Sequence, residues 1–486
     1  MRPITTDRTE ALIGVASTRT RERAAAAGLP AGELMRRAGL CAARLARAVA
    51  PHAQRVWVAC GPGNNGGDGL QMAAILARQG LQVAVSWLGQ PERQSPEAGA
   101  ALNDATAAGV TLGDPPADYD LAVDALLGIG AAREPDGTMA QWIARLGQGP
   151  APVLSLDLPS GLNADTGQPF GSSCVRARWT LSLLDLKPGL FTAQGRDFAG
   201  RVWFDDLGVT PPDEPEAWLL GADRAGTTAR RPHASHKGDF GDVAVVGGAP
   251  GMTGAPLLAA RAALSAGAGR VFVVMLDSAL NMTVDPIQPA LMFRSLEALD
   301  LSRTTVVCGC GAGDRAAAVL PVLLSRAPRL VLDADALNAV ARDSALEVLV
   351  KARSARGRQT VLTPHPLEAA RLLGCDTAQV QSDRLGAART LAERFACTVV
   401  VKGSGSVIAA PGQPTAVNHS GNARLATAGT GDVLAGMVGA QLAADPTSSF
   451  DAACRAVYRH GRLADDWSSP VLTAELLAQV AGRACS

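Results

Sequence analysis

Twice in this chain, once in each half, a glycine-rich loop leads into an amphipathic helical run. The first is Gly61-Pro62-Gly63-Asn64-Asn65-Gly66-Gly67-Asp68-Gly69, after the apolar residues 56–60. The second is Ala428-Gly429-Thr430-Gly431-Asp432, ahead of the helical run that starts at Val433. Backbone N–H groups left free at a glycine-rich helix start form a site for phosphate. A chain of 486 residues predicts two or three domains. Two such loops therefore predict a two-domain enzyme that handles nucleotides twice.

Composition narrows the class. Formal net charge is zero, so no overall field recruits nucleic acid or an anionic membrane. No apolar run reaches transmembrane length, and the opening residues carry no apolar leader. A cytoplasmic enzyme without nucleic-acid or membrane partners is expected. The nine cysteines are scattered without zinc spacing and read as structural, Cys308 and Cys310 included. Only four of the 45 basic residues are lysine: Lys187, Lys237, Lys351 and Lys402. In so arginine-rich a chain, a lysine is expected where a compact point charge is needed and a planar fork will not serve. Lys351 reads equally well as a surface residue.

Both halves alternate apolar runs with helical ones, which predicts α/β domains with parallel sheets and helices on both faces. Strands are expected in the first half at 56–60, 82–86, 121–124, Val153–Leu156 and 180–184, and helices at Glu33–Val49, 69–78, 97–108 and 138–146. In the second half strands are expected at 242–246, 271–275, Thr304–Cys308, 330–333, Gln359–Leu362, Thr398–Val401 and 407–409. Helices there are expected at 255–266, Pro366–Leu373, 383–395, 432–442 and 450–465. The segment 210–232, rich in proline and acid and then polar, predicts an interdomain linker, giving domains over 1–221 and 225–486.

Ligands of parallel sheets bind beyond the carboxyl ends of the strands. In the first half three loops fall there: 61–69, the loop after Asp124 with Gly128 and Gly130, and Asp157-Leu158-Pro159-Ser160-Gly161. Asn65, Asp124 and Ser160 together offer one carboxylate and neutral oxygens, a set that suits a large monovalent cation such as K⁺. The alternative is that these residues only cap loops and make turns. The three segments, with Glu33-Leu34-Met35-Arg36-Arg37-Ala38-Gly39 before them, resemble the NAD(P)H-hydrate epimerase family over most of residues 15–210. The resemblance implies a Rossmann-like domain that interconverts the R and S forms of hydrated NADH and NADPH. It implies that Asn64, Asn65, Gly66, Gly67, Asp68, Gly128, Ile129, Gly130, Ala131, Ala132, Arg133, Glu134 and Asp157 hold substrate. It also implies that Asn65, Asp124 and Ser160 bind K⁺. Reversible ring opening needs an acid and a base, and Asp157 and Lys187 are the candidates.

In the second half Gly429, Thr430 and Gly431 place backbone donors beside Asp432. That arrangement suits phosphoryl transfer, with Asp432 taking the acceptor hydroxyl's proton; the alternative is an ordinary helix cap. Lys402-Gly403-Ser404-Gly405-Ser406 offers a second phosphate clamp, and His365 lies in a Pro-His-Pro turn at a strand end. With His236-Lys237-Gly238-Asp239-Phe240-Gly241, the glycine loop after the strand at 242–246, and Asp333-Ala334-Asp335-Ala336-Leu337-Asn338, these segments resemble the ADP-dependent NAD(P)H-hydrate dehydratase family over roughly 230–480. That family has a ribokinase-like fold. The resemblance implies that Lys402, Gly403, Ser404, Gly405, Ser406, Gly429, Thr430 and Gly431 bind nucleotide phosphates. It implies that Ala255, Gly311, Gly313, His365 and Asp432 contact the hydrate. The chain departs from the family's usual pattern at Ala423-Arg424-Leu425, Ala428 and Cys310.

The implied activity is repair of hydrated NADH and NADPH. Both epimers would be interconverted, and the S form dehydrated at the expense of ADP (or ATP), with Mg²⁺ bridging the phosphates. A homo-oligomer is expected. The rival is a ribokinase-like small-molecule kinase fused to a nucleotide-binding domain, and the epimerase-like first half weighs against it.

Overall fold

The computed structural model describes residues 1–211, 214–225, 232–277, 279–280, 282–445 and 447–483. Two compact units result, one of residues 1–5 with 10–217 and the other of residues 6–9 with 218–486. Parts of the expected linker, 212–213 and 226–231, lie outside the described residues.

The first unit is built on one eight-stranded sheet. In spatial order its strands are Thr111–Leu112, Gln82–Trp87, Arg55–Cys60, Leu121–Ala125, Val153–Leu156, Trp179–Leu183, Arg201–Asp205 and Arg2–Pro3. All neighbours run parallel except the last pair, where Arg2–Pro3 lies antiparallel to Arg201–Asp205. Leaving out that edge, the order is the 3-2-1-4-5-6 of doubly wound nucleotide-binding sheets with one strand added. The order reverses between Arg55–Cys60 and Leu121–Ala125. The loops beginning at Gly61 and Leu126 therefore open a crevice at the switch point, where such sheets take their ligands.

Central strands such as Leu121–Ala125 and Val153–Leu156 are buried at every position, which explains their continuous apolar runs. The helix expected from residue 69 starts earlier, at Asn64, and runs to Arg78. Three glycines let its first turns lie against the backbone of the sheet edge. A Cβ at Gly66 would sit 2.0 Å from the Gly61 carbonyl oxygen, one at Gly67 2.5 Å from the Met35 methyl, and one at Gly69 2.6 Å from Ala125 Cβ. Glu33–Val49 packs its buried face, Met35, Ala38, Ala42 and Leu45, over this helix. Periodicity gave no sign of the helix Val15–Ala27, whose single buried residue is Thr18.

The second unit repeats the plan. Its parallel strands follow the order Met292–Phe293, Arg270–Met275, Asp242–Gly247, Thr304–Cys308, Arg329–Leu332, Gln359–Leu362 and Thr398–Val401. Two antiparallel strands, Ser406–Ala409 and Thr415–Asn418, continue the sheet, and Ala217–Leu219 lies next to Thr415–Asn418. The reversal falls between Asp242–Gly247 and Thr304–Cys308, so the loops after Gly247 and Cys308 flank this switch point. The helix expected from Asp432 begins at Thr430 and is almost wholly buried to Ala444, between the sheet and Gly254–Ser265. Helices Ala316–Arg326, Ala334–Arg342, Ser344–Ser354, Thr377–Ser382 and Ala474–Val480 complete the unit beyond those expected.

The second unit's core begins before residue 225. Leu219 and Leu220 are fully buried, and the Leu220 N–H donates to the Val417 carbonyl at 2.8 Å. A fragment starting at 225 loses that edge strand and two buried leucines, each worth about 2–5 kcal/mol on truncation. It should unfold at a clearly lower temperature than one starting at 215, as followed by circular dichroism; equal midpoints would place the unit's boundary after residue 220.

Candidate functional sites

In the first unit the crevice is a cavity of about 670 Å³. Its walls include Asn64, Asn65 and Asp68 from the glycine-rich helix start, Gly128, Ile129, Gly130 and Ala131 from the next loop, and Asp157 and Lys187. Gly66 and Gly67, expected to hold substrate, lie beneath it and serve the close packing described above. Ala132 lines a neighbouring recess instead. Arg133 is exposed and lines neither. Glu134 turns away from the cavity: its carboxylate accepts from the N–H and hydroxyl of Ser172 at 2.6 and 3.0 Å.

Asp157 and Lys187 form the floor. Lys187 is 1% exposed, and its ammonium donates to Asp157 Oδ1 at 2.5 Å and to the Leu183 carbonyl at 2.7 Å. The other Asp157 oxygen accepts the Ile129 N–H at 3.2 Å, which ties the 128–131 loop to the floor. Asp157 and Leu184 both hold positive φ, 67° and 65°, a conformation that side chains seldom adopt and that concentrates at functional sites. Asp68 faces the same cavity. Burial, reinforced by the Asp157 and Glu22 carboxylates, pushes it well above the usual carboxylate range.

Asp124 ends its strand wholly buried. One oxygen accepts from Ser160 Oγ at 2.5 Å and the Leu126 N–H at 3.3 Å, the other from Ser155 Oγ at 2.8 Å and the Ser160 N–H at 2.9 Å. Burial raises its pKa against the pull of these bonds. Asn65 is 8% exposed, and both polar atoms of its amide are buried without a protein partner. An orphaned buried amide calls for a ligand. An all-oxygen set with a single carboxylate fits a monovalent cation.

In the second unit the two glycine-rich loops meet one charged cluster. Lys402, at the end of Thr398–Val401, donates to Asp333 Oδ1 at 2.6 Å. Burial alone would lower its pKa, but Asp333 and Glu368 hold the ammonium up. A Cβ at Gly431 would lie 3.5 Å from Lys402 Nζ, so the helix start and the lysine face each other. Asp432 is the third residue of its helix rather than the cap, which is Gly429 at φ 89°. Oxygens of Asp432 and Asp333 and the Cys310 sulfur all lie within 4.8 Å of one another. Burial, with Asp333 adding to it, pushes Asp432 up to about 6, while a hydrogen bond from the Cys310 thiol and the Lys402 charge pull it down. Cys310 therefore touches the candidate base, which corrects its reading as a purely structural thiol. Ala428 is not among the residues with positive φ, so glycine's freedom is not needed there. Arg424 donates to the Ser469 carbonyl at 2.9 Å.

Ala255, Gly311 and Gly313 come together at the switch point. A Cβ at Gly311 would meet Ala255 Cβ at 3.0 Å, and the Gly313 N–H donates to Asp335 at 2.8 Å. His365 is a helix cap: its Nδ1 accepts from the N–H groups of Leu367 and Glu368, and Glu368 returns a bond to the His365 N–H at 2.8 Å. Burial, then the Lys402 charge, lowers its pKa. Burial raises Glu368 to about 7, with Lys402 opposing.

Gly403 and Gly405, at φ 139° and 62°, rest on Arg384, which is 1% exposed. Its guanidinium donates to the carbonyls of Val401 and Lys402, both at 3.2 Å, and to that of Gly405 at 3.5 Å. His460 is buried, with Nε2 3.0 Å from the Thr430 carbonyl, and burial pushes it down to about 4. Sequence reasoning missed Arg384, His460, Glu368 and the role of Asp333. The S/T-x-x-E-like spacing of His365 and Glu368 was a usable sign of a cap; Arg384 and His460 carried none.

Comparison with known proteins matches residues 243–484 to the NAD(P)H-hydrate dehydratase family model and residues 31–189 to that of the YjeF-related protein N-terminus. The bifunctional NAD(P)H-hydrate repair enzyme Nnr of Escherichia coli (strain K12) is 36% identical, over 94% of this chain and 89% of its own. The bifunctional NAD(P)H-hydrate repair enzyme of Leishmania braziliensis is 35% identical, over 89% and 84%. Among solved structures, the ADP/ATP-dependent NAD(P)H-hydrate dehydratase of Bacillus subtilis, co-crystallized with ATP/Mg²⁺, is 26% identical with a TM-score of 0.45, covering 53% of this chain and 93% of that one.

Proposed function

The chain belongs to the bifunctional NAD(P)H-hydrate repair enzymes, and we propose on that premise that the first unit interconverts the epimers of hydrated NADH and NADPH while the second dehydrates the S form with ADP, releasing AMP and phosphate. It is an isomerase joined to a hydro-lyase, and a ribokinase-like small-molecule kinase is not favoured. The observation that carries the division of labour is the pair of switch-point sites, each with a buried lysine–aspartate pair but with different neighbours.

In the first site, ring opening at the hydrated carbon needs a base for the hydroxyl proton and an acid for the ring nitrogen. Asp157, bonded to Lys187, is our candidate base, and Asp68, whose pKa burial raises, our candidate acid. Lys187 positions Asp157. Closure on the opposite face of the planar carbonyl gives the other epimer. K⁺ held by Asn65, Asp124 and Ser160 would supply positive charge beside the buried carboxylate.

In the second site Asp432 takes the proton of the hydrate's hydroxyl as its oxygen attacks the terminal phosphorus of ADP. The N–H groups at Gly429–Gly431 and the Lys402 ammonium stabilise the transferring charge. The ring nitrogen's lone pair then expels phosphate, and loss of the neighbouring ring proton restores the dihydropyridine. Mg²⁺ would neutralise the ADP phosphates. The Asp333 carboxylate suits that hard ion, whereas the Cys310 thiol does not.

Incubating the protein with mixed epimers tests the whole reading. The epimer ratio should relax without nucleotide, and both forms should disappear into NADH or NADPH once ADP or ATP is added. Asp432→Asn should slow dehydration by about 10²–10⁴-fold and leave epimerisation intact; near-normal recovery of NADH would remove Asp432 from the mechanism.

The acid limb of dehydratase kcat/KM should fall as pH drops below about 6, because the base is protonated there. Asp333→Asn removes a like charge and leaves Lys402 opposed by Glu368 but no longer by Asp333, so the limb should move to lower pH. A limb that stays in place, or moves up, argues against Asp432 as the titrating group.

Replacing K⁺ by tetramethylammonium should slow epimerisation and lower the first unit's unfolding temperature, and Asp124→Ala should abolish the response. An identical melting curve and rate in the two salts would eliminate the ion.

A further inference from the structure

We propose that the exposed face of the helix Val15–Ala27 is the subsite that binds the phosphate groups of the hydrated dinucleotide, through Arg19 and Arg23 on the cavity wall. The proposal rests on the epimerase reading of the first unit. The helix precedes the region that the family model matches, which starts at residue 31.

Thr18, Arg19, Glu22, Arg23 and Ala26 fall on one helical face and all line the cavity. Thr18, 2% exposed, is the buried residue that seats this face of the helix, and Arg19 and Arg23 beside it are exposed. The arginines of the helix divide by face. Arg21, on the far side, forms a bidentate bond to Asp185 at 3.1 and 3.0 Å. Arg19 and Arg23 form no ion pair among the described residues. Their hydrogen bonds go to carbonyl or hydroxyl oxygens. Arg19 Nη2 reaches the Ile129 carbonyl at 3.4 Å, and Arg23 reaches the Arg19 carbonyl at 3.3 Å and Thr20 Oγ1 at 3.5 Å.

Glu22 is turned to Asn64, 3.4 Å from its amide nitrogen, and acts on Asp68, and Glu33 is paired with Arg37. The cavity thus holds Asp68 and Asp157, where the ring must react, and two exposed guanidiniums that face no carboxylate partner among the described residues. A dinucleotide entering ring first brings its phosphates to those guanidiniums. Arginine binds them bidentately and needs no rearrangement of the floor.

The test uses the full-length protein without ADP or ATP, so that only epimerisation runs, with hydrated NADH and hydrated NADPH measured separately. Arg19→Ala with Arg23→Ala should raise KM roughly tenfold or more, the loss of charge-assisted bonds, while kcat holds because the floor is untouched. Arg19→Lys with Arg23→Lys should recover part of the loss. Melting curves of all variants should match the parent. A rise with both substrates assigns the subsite to the shared diphosphate, and a rise with hydrated NADPH alone assigns it to the 2′-phosphate. Unchanged KM for both substrates in the double alanine variant overturns this inference and leaves the epimerase reading standing. An equal fall in kcat and kcat/KM also overturns it, by placing the arginines in the chemical step. A parent protein that does not alter the epimer ratio overturns both.

Discussion

Each unit places a lysine ammonium against an aspartate carboxylate at the carboxyl edge of its parallel sheet, and the chemistry of both sites depends on that pairing. Lys187 meets Asp157, which follows Val153–Leu156, and Lys402 meets Asp333, which follows Arg329–Leu332. Taking either charge alone out of water would cost several kcal/mol, so each group is held there by its partner. The ammonium's compactness is used in both places. Lys187 serves a carboxylate and a backbone carbonyl at once, and Lys402 stands between Asp333 and the helix start at Gly431. A planar guanidinium has no matching geometry for either task.

With the pairs in place, the remaining carboxylates are free to differ. Asp68 and Asp432 sit near a paired aspartate but lack a lysine of their own, and burial raises both. Each site thus sets a lysine-paired carboxylate beside one with a raised pKa, the pattern by which acid and base roles are assigned within one pocket. The close backbone packing at Gly61, Gly66 and Gly69 belongs to the same design, because it brings a helix start to the strand ends where those carboxylates lie.

The sheets were legible because their strands are buried on both faces and read as unbroken apolar runs. The loops at both switch points were legible because glycine and carboxylates cluster there. The rarity of lysine singled out Lys187 and Lys402, which lie against Asp157 and Asp333, and also Lys237, which is exposed, while Lys351 makes an i,i+4 surface pair with Glu347. What stayed hidden had no local pattern. Val15–Ala27 buries only Thr18, so it has no apolar stripe to betray a helix. Arg384 lies 18 residues from the loop it supports and looks like any other arginine of the chain. Gly66 and Gly67 looked like ligand contacts because glycine permits close approach. Here the approaching atoms belong to Gly61 and Met35.

The two sites also solve anion binding differently, and the difference follows from what each must do with the phosphate. In the second unit the phosphate reacts, so its donors must be fixed before it arrives. Arg384 does this from below: buried, pushed down only to about 10 and so still charged at neutral pH, it pins the carbonyls of residues 401, 402 and 405 and holds the glycine loop's shape. His460 anchors the facing helix start through the Thr430 carbonyl. In the first unit the phosphates are a handle and only the ring reacts. Exposed arginines suffice on the wall of that cavity, while the rigid, strained backbone at Asp157 and Leu184 is kept for the floor. Rigidity is thus concentrated where bonds change, which is why the buried guanidinium is found in one unit and the solvent-facing pair in the other.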